Sequence, residues 1–355
     1  MDHIDRPTME CSADELDLKR LEDYLTAVVP GLQGPLTARR FSGGASNLTY
    51  LLSFADRQMI MRRPPAGTKA ATAHDMAREH TVLSALCAHW PYAPRPLAYC
   101  EDRDVIGSSF YVMEYRRGII LRKELPEGLF TTPAQLRRLY EKFVQALNEL
   151  HALDYDAVGL AGLGKPEGYV RRQVLGWNKR YRAARTPDAP DCEPVMDWLE
   201  AKIPGETRRS AIIHNDFKLD NIVLDPDDPL NIIAVLDWEM CTIGDPLMDL
   251  GCTLGYWVDK DDPPERHIIR TMPTHLEGSL SRREFVDLYG RMSGIKMDDF
   301  DFYYCFGLFR LAVIIQQIYY RYYHGQSRDD RAKKFALAVP VLERAAKEVI
   351  SRASL

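Results

Sequence analysis

The sequence predicts an α+β protein in two lobes, a small antiparallel β-sheet followed by a larger and mostly helical part. Three observations carry that prediction. Up to about residue 115 the apolar residues gather in short runs separated by turn residues, which is the strand pattern. From Pro133 the spacing turns helical, with Leu136, Leu139, Phe143, Leu147, Leu150 and His151 on one face. At 355 residues the chain is long enough for two cores and too long for one minimal domain. The boundaries that follow are a leader and helix over 1–35, a sheet lobe over 36–115 and a helical lobe over 116–355.

The elements follow in order. Asp14-Glu15 opens an amphipathic helix carrying Leu16, Leu18, Leu21, Tyr24, Leu25 and Val28, which Pro30-Gly31 ends and which is expected to pack on the first lobe. Ser42-Gly43-Gly44-Ala45-Ser46 enters a strand at Leu48. Small residues let a backbone approach a phosphate with bare N–H groups, and the same residues also suit a plain hairpin turn. Met59-Ile60-Met61-Arg62 is a second strand. A helix over about 72–87 puts Glu79 on the side of Leu83, where a carboxylate needs a partner; Arg62 is the natural one. Phe110 to Tyr115 is a further strand, with a bend expected at Gly118. In the helical part, Gln173, Trp177 and Tyr181 share a face of a helix rich in arginine and lysine. Helices are expected over 281–290, 300–324 and 331–350, the last kinked or broken at Pro340. His151 ends its helix, and a structural role is expected for it.

The most informative stretch runs from Ile212 to Asp237. Ile212-Ile213 is a buried strand leading into the polar loop His214-Asn215-Asp216-Phe217-Lys218-Leu219-Asp220-Asn221. Ile222-Val223-Leu224 and Ile232 to Leu236 then form a hairpin around Asp225-Pro226-Asp227-Asp228-Pro229. Hairpin pairing sets Asn221 beside Asp237, with Asp216 a few residues upstream. Two carboxylates and an amide oxygen are a ligand set that Mg²⁺ takes together with phosphate oxygens.

His-x-Asp-x-x-x-x-Asn is the spacing of the protein-kinase catalytic loop. Together with Leu236-Asp237-Trp238-Glu239 and Gly244-Asp245-Pro246-Leu247-Met248-Asp249, it closely resembles the aminoglycoside phosphotransferase and choline-kinase superfamily. The Arg172-Gln173-x-x-x-Trp177 helix resembles the subgroup that includes kinase-like domains fused to acyl-CoA dehydrogenases. The resemblance implies a protein-kinase-like fold and transfer of a phosphoryl group from ATP, with Mg²⁺, to the hydroxyl of a small molecule. It implies Asp216 as the catalytic base and His214 as the brace of its loop, with Asn221 and Asp237 as metal ligands. The nucleotide would meet Ser42, Gly43, Gly44, Ser46, Arg62 (paired with Glu79), and the backbone about Glu114 and Tyr115. Arg62 stands where protein kinases have lysine, with Lys69 as the fallback cation. Gln173, Trp177 and Tyr181 are candidate acceptor contacts. Asp245 and Asp249 are expected to fix the loop, and the charged segment 258–267 to close over the acceptor.

A basic helix repels polycationic aminoglycosides and attracts anions, which favours a metabolite such as a hydroxyacyl-CoA. An aminoglycoside-modifying enzyme and a non-catalytic nucleotide-binding scaffold are the alternatives. A protein kinase is disfavoured, because no Ala-Pro-Glu segment follows Asp237. The balance of 46 basic against 51 acidic residues gives nothing for nucleic acid to grip. Seven scattered cysteines without a Cys-x-x-Cys pair argue for a reducing compartment, and no secretory leader is evident, so a cytoplasmic location is expected. The apolar run Phe302–Tyr323 contains Arg310, Gln316, Gln317 and Arg321, so a buried helix is expected there rather than a membrane span. No heptad or internal repeat specifies an oligomer.

Overall fold

The computed structural model describes residues 3–11, 15–42, 47–65, 75–205, 209–327 and 330–353. By their internal contacts these residues form two units. One is Met1–Ile120 with Asn221–Cys241, and the other is Leu121–Asp220 with Thr242–Leu355. The hairpin that the sequence assigns to the helical part therefore keeps company with the N-terminal sheet. The reason is pairing: Ile119↔Leu224 and Ile120↔Val223 add a short strand to the hairpin's edge.

In the first unit, β1 (Met9–Glu10), β2 (Thr37–Arg40), β3 (Leu48–Ser53), β4 (Gln58–Arg63), β5 (Pro96–Cys100) and β6 (Phe110–Glu114) form an antiparallel sheet in the order β1-β2-β3-β4-β6-β5. Alternate residues Tyr50, Leu52, Met59, Met61, Phe110 and Val112 fill its core, and helix α1 (Leu18–Val28) adds Leu21 and Leu25. Asp17 caps α1 by accepting from the Arg20 N–H, one turn later than the expected start, and Tyr24 donates to the Tyr99 carbonyl, so the helix does pack on this sheet. Helix α2 (Met76–Leu86) buries Val82, Leu83 and Leu86, and α3 (Arg103–Ile106) is one turn. Strand β7 (Ile119–Ile120) joins the later hairpin. Gly118 before it has no room for a side chain, since a Cβ would lie 2.3 Å from the Leu224 carbonyl.

The second unit is helical. Helix α4 (Pro133–Ala152) starts from a reciprocal cap between Thr132 and Gln135, and α5 (Tyr169–Ala184) and α6 (Glu193–Ala201) follow. Strand β8 (Ala211–Ile213) leads into the polar loop; in the first unit β9 (Ile222–Leu224) and β10 (Ile232–Val235) make the expected hairpin. Back in the second unit, β11 (Thr242–Gly244) pairs with β8, and α7 (Pro246–Gly255), α8 (Pro264–Ile269), α9 (Arg282–Ser293), α10 (Phe300–Tyr323) and α11 (Phe335–Ala353) complete it. By length and composition α10 could cross a membrane, but most of it is buried against α7, α11 and α5, which makes it a core helix. Helix α11 runs through Pro340 without a break. The proline removes one helical hydrogen bond, and burial of Ala338, Val339, Leu342 and Ala346 against the unit offsets that loss.

Helices α7 and α10 cross through glycines. A Cβ on Gly307 would lie 1.9 Å from the Gly251 carbonyl oxygen, and one on Gly251 would lie 2.1 Å from the Tyr303 carbonyl. Both contacts are with backbone, so relief requires the helices to part. Gly307→Ala should therefore cost about 1–3 kcal/mol by overpacking. In thermal melts, Gly162→Ala, where a Cβ meets nothing within 4 Å, serves as the near-neutral control. Equal melting temperatures for the two variants would refute the crossing argument.

Candidate active site

The first unit gathers charge around Arg62. Its place on β4 opposite Tyr111, and the turn of α2 that carries Glu79, bring the two side chains together inside the unit. Arg62 Nη1 donates to Glu79 Oε2 at 2.6 Å, and Nη2 donates to Asp237 Oδ1 at 2.8 Å. The ion pair expected from sequence is therefore formed, and Asp237 extends it to a triplet. Glu79 is fully buried and also accepts from the Tyr111 hydroxyl at 2.9 Å and from Asn47 Nδ2 at 3.1 Å. Asn47 reaches Glu239 Oε2 as well, at 3.0 Å. Burial works against the charge on Arg62, but Glu79 and Asp237 outweigh it and hold the guanidinium even further from deprotonation than usual.

The hairpin register supplies the second feature. Val235 pairs with Ile222, and the Leu236 N–H donates to the Asn221 carbonyl at 2.8 Å, which sets Asp237 beside Asn221 as the spacing requires. Asp237 adopts a left-handed backbone, φ 68°, a conformation that Asp tolerates better than most residues. Its side chain keeps 30% of its surface open. Oxygen donors at neighbouring positions across the hairpin, one of them an accessible carboxylate, fit a hard divalent cation. Trp238 locks the turn behind them, donating to the Val235 carbonyl at 2.9 Å and packing edge-on against Trp90.

In the second unit the loop after β8 hangs on Asp249 of α7. This buried carboxylate accepts from the His214 N–H at 2.7 Å and the Asn215 N–H at 2.8 Å, and the His151 ring nitrogen Nε2 lies 3.1 Å away. His151 is thus structural, with Tyr289 on its other nitrogen at 2.7 Å. His214 braces the loop: its Nδ1 accepts the Asp216 N–H at 3.2 Å, which fixes the proton on Nε2. Asp245 acts differently, capping α7 through the Leu247 N–H rather than touching the loop. Asp216 Oδ1 accepts from the Tyr256 hydroxyl at 3.3 Å, and Oδ2 faces Lys218 Nζ at 3.1 Å.

A family model described as phosphotransferase enzyme family matches residues 37–285. The chain belongs to that family. It is 36% identical over 317 residues to mouse acyl-CoA dehydrogenase family member 10, covering 88% of this chain and 29% of the relative. It is 34% identical to human acyl-CoA dehydrogenase family member 11, covering 92% of this chain and 42% of that one. The chain thus spans less than half of either relative. Among solved structures, a Ralstonia eutropha protein named as a candidate aminoglycoside phosphotransferase superposes with a TM-score of 0.81 at 30% identity, covering 95% of this chain and 99% of the other. Choline kinase from Cryptosporidium parvum, at 11% identity, superposes with a TM-score of 0.66 over 95% and 97% of the two chains, and shares the kinase-like fold.

Not every residue expected at the phosphotransferase site lies where the sequence suggests. Gly43, Gly44, Ser46 and Lys69 lie outside the described residues; Ser42 is exposed. The Glu114 N–H already donates to the Arg95 carbonyl at 2.9 Å, and its carboxylate accepts from the Arg95 N–H and from Arg116. Any purine edge met here would have to use other backbone groups. The Tyr115 hydroxyl donates to the Asp5 carbonyl. On α5, Gln173 Oε1 accepts from the Trp177 indole at 3.1 Å, so these two do share a face. Tyr181 is a correction: it is fully buried against Phe309 and its hydroxyl donates to the Pro190 carbonyl, because it lies on the face of α5 that also buries Val170, Val174 and Trp177. Segment 258–267 is braced by Arg282, which binds Asp262 through two nitrogens.

Sequence reasoning missed Lys218, Tyr256, Asn47 and Glu239. Lys218 and Glu239 each stand two residues past a singled-out aspartate, which was the available signal.

Asp249 sits below its ordinary carboxyl range. Burial opposes its ionisation, but the His151 ring and the backbone N–H of His214 outweigh it. A depressed native pKa contributes stability that is complete above the ordinary value of 3.8 and is lost as pH falls through the lowered one. The wild type should therefore lose stability on acidification in that window, and Asp249→Asn should show a flatter profile from a lower plateau. Denaturant melts from neutral to strongly acidic pH check this, and parallel curves would contradict it.

Proposed function

We propose that this chain is an ATP- and Mg²⁺-dependent kinase that phosphorylates the hydroxyl of a small metabolite. The observation that carries the reading is the Glu79–Arg62–Asp237 triplet. It holds a permanent cation and an accessible carboxylate together inside one unit, as binding a metal-chelated polyphosphate requires. Family membership supports the same class of chemistry. Related folds have been solved with ADP and spectinomycin, and with GDP, which supports nucleotide use.

In the reaction, the acceptor hydroxyl oxygen forms a bond to the γ-phosphorus, the bond from that phosphorus to the β–γ bridging oxygen breaks, and ADP leaves with the electron pair. Asp216 accepts the hydroxyl proton, with Tyr256 and Lys218 fixing the orientation of its carboxylate. His214 positions Asp216 and takes no proton itself. Arg62 binds phosphate oxygens. Asn221 and Asp237 would hold Mg²⁺, which when bound offsets charge on the β- and γ-phosphates. The small-residue turn that begins at Ser42 and the strand end about Glu114 and Tyr115 would receive the nucleotide.

The acceptor we assign is an anionic hydroxy metabolite, with a hydroxyacyl-CoA first among the forms. Arg171, Arg172, Lys179 and Arg180 are exposed on α5 and favour an anion over a polycationic aminoglycoside, while Arg182 beside them is paired with Glu193. The acyl-CoA dehydrogenase names of the relatives point the same way. All seven cysteines are free, which suits a reducing compartment such as the cytoplasm.

The test is Mg²⁺-dependent ATP consumption against hydroxyacyl-CoA esters, amino alcohols, sugars and aminoglycosides. Asp216→Ala should lower turnover by roughly 10²–10⁴-fold with the fold intact; near-normal turnover would remove Asp216 from the mechanism. Asp237→Asn should shift the Mg²⁺ requirement upward, and raised Mg²⁺ should recover part of the rate. A rate that stays depressed at saturating Mg²⁺ would mean that Asp237 does more than bind the metal.

A further inference from the structure

Trp177 on α5 lies between two cations. The Arg180 guanidinium is 4.6 Å from its ring centroid and the Arg310 guanidinium, from α10, is 5.2 Å from it. Arg310 is only 4% exposed, yet among the described residues no carboxylate oxygen lies within ion-pair distance of either arginine. A buried guanidinium is ordinarily matched by a bound carboxylate, since desolvation is costly and one aromatic face returns only part of it. The two like charges also oppose each other. Burial lowers the Arg180 pKa first, and Arg310 lowers it further. Arg310 is near enough to Asp216, Tyr256 and Cys252 to interact with them electrostatically, so it belongs to the surroundings of the proposed base. Gln173 fixes the indole by accepting its N–H, which leaves the ring no freedom to turn away from the cations. A charge imbalance built around an immobilised ring, beside a base, is what a receptor for an anionic substituent requires.

We propose that Arg310 and Arg180, held on Trp177, recognise an anionic group of the acceptor and so determine its specificity. This rests on the reading of Asp216 as the base that receives the acceptor hydroxyl's proton. The anionic group is a carboxylate or a phosphate; both offer oxygens to a guanidinium. A cationic acceptor is excluded by the same charges.

The test is calorimetric titration of the full chain with β-hydroxybutyrate, its neutral butanediol counterpart, choline and coenzyme A. It is run on wild type, Arg310→Gln, Arg310→Lys and Arg180→Gln, with Mg·ADP titrated in parallel. The expected result is binding of an anionic probe and not of the diol or choline. Arg310→Gln should weaken it roughly 10- to 100-fold, as loss of charge-assisted hydrogen bonds predicts. Arg310→Lys should recover part of it, and Mg·ADP affinity should not move. A response to β-hydroxybutyrate assigns the carboxylate, and one to coenzyme A alone assigns the phosphate. If Arg310→Gln fails to fold, the exposed Arg180 carries the same test. The proposal is overturned if wild type binds no anionic probe, if choline binds better, or if the folded variants bind as wild type does. Arginine-dependent anion binding without phosphoryl transfer to any acceptor would sink the kinase reading, and with it the acceptor role assigned here, and would leave Arg310 and Arg180 as an anion site only.

Discussion

One buried carboxylate, Asp249, turns a polar loop into a fixed object. Loops run over surfaces because their backbone groups need partners, and the loop after β8 instead enters the interior of its unit. Asp249 makes this possible by accepting two consecutive N–H groups, those of His214 and Asn215, while His151 and Tyr289 continue the network behind it. Asn215 can then take a left-handed backbone, φ 64°, at small cost, since Asn is among the residues that tolerate it. The backbone direction of Asp216 follows from these bonds and from the His214 ring, and Tyr256 and Lys218 then orient its carboxylate.

The first unit solves a different problem, how to keep charge inside a sheet-and-helix core. Arg62, Glu79 and Asp237 come from a strand, a helix and a hairpin end, and each satisfies another. An arginine suits this better than a lysine would, because its fork can serve two carboxylates at once, through Nη1 and Nη2. The residue that departs from the protein-kinase pattern is thus the one whose two terminal nitrogens join the carboxylates of a helix and a hairpin end. Asn47 adds a neutral bridge between Glu79 and Glu239, so two acidic side chains share one amide rather than face each other directly.

What the sequence made legible was local. Period-two runs with a turn cluster between them were enough to place Asn221 beside Asp237, and helical spacing was enough to bring Glu79 into the core facing Arg62. Features that depend on how distant segments meet were hidden. Tyr181 shares the spacing of Gln173 and Trp177, but only the packing of α5 on α10 shows that its ring is interior. Pro340 reads as a break because propensity is all that one sequence displays, while the burial that offsets it comes from α10. The membership of 221–241 in the first unit depends on contacts of long sequence separation, with Ile119 and Ile120 pairing to the hairpin edge, Arg62 binding Asp237 and Trp90 packing on Trp238. Arg310 lies within an apolar run, where the sequence marks it as an argument against a membrane and nothing more.

The first unit is assembled from two separated stretches of chain, and that has a consequence for biosynthesis. When a ribosome has released residue 120, β7 has no partner, and Glu79 and Arg62 lack the aspartate that completes their triplet. Those arrive only with residues 221–241, after the first hundred residues of the second unit have emerged. Contacts of such long sequence separation close late and leave strand edges open meanwhile. No N-terminal fragment ending before Cys241 is a complete module. A gene fusion or a natural splice that kept only the leading sheet would therefore inherit its strands and the Arg62–Glu79 pair without the aspartate that completes the charge network.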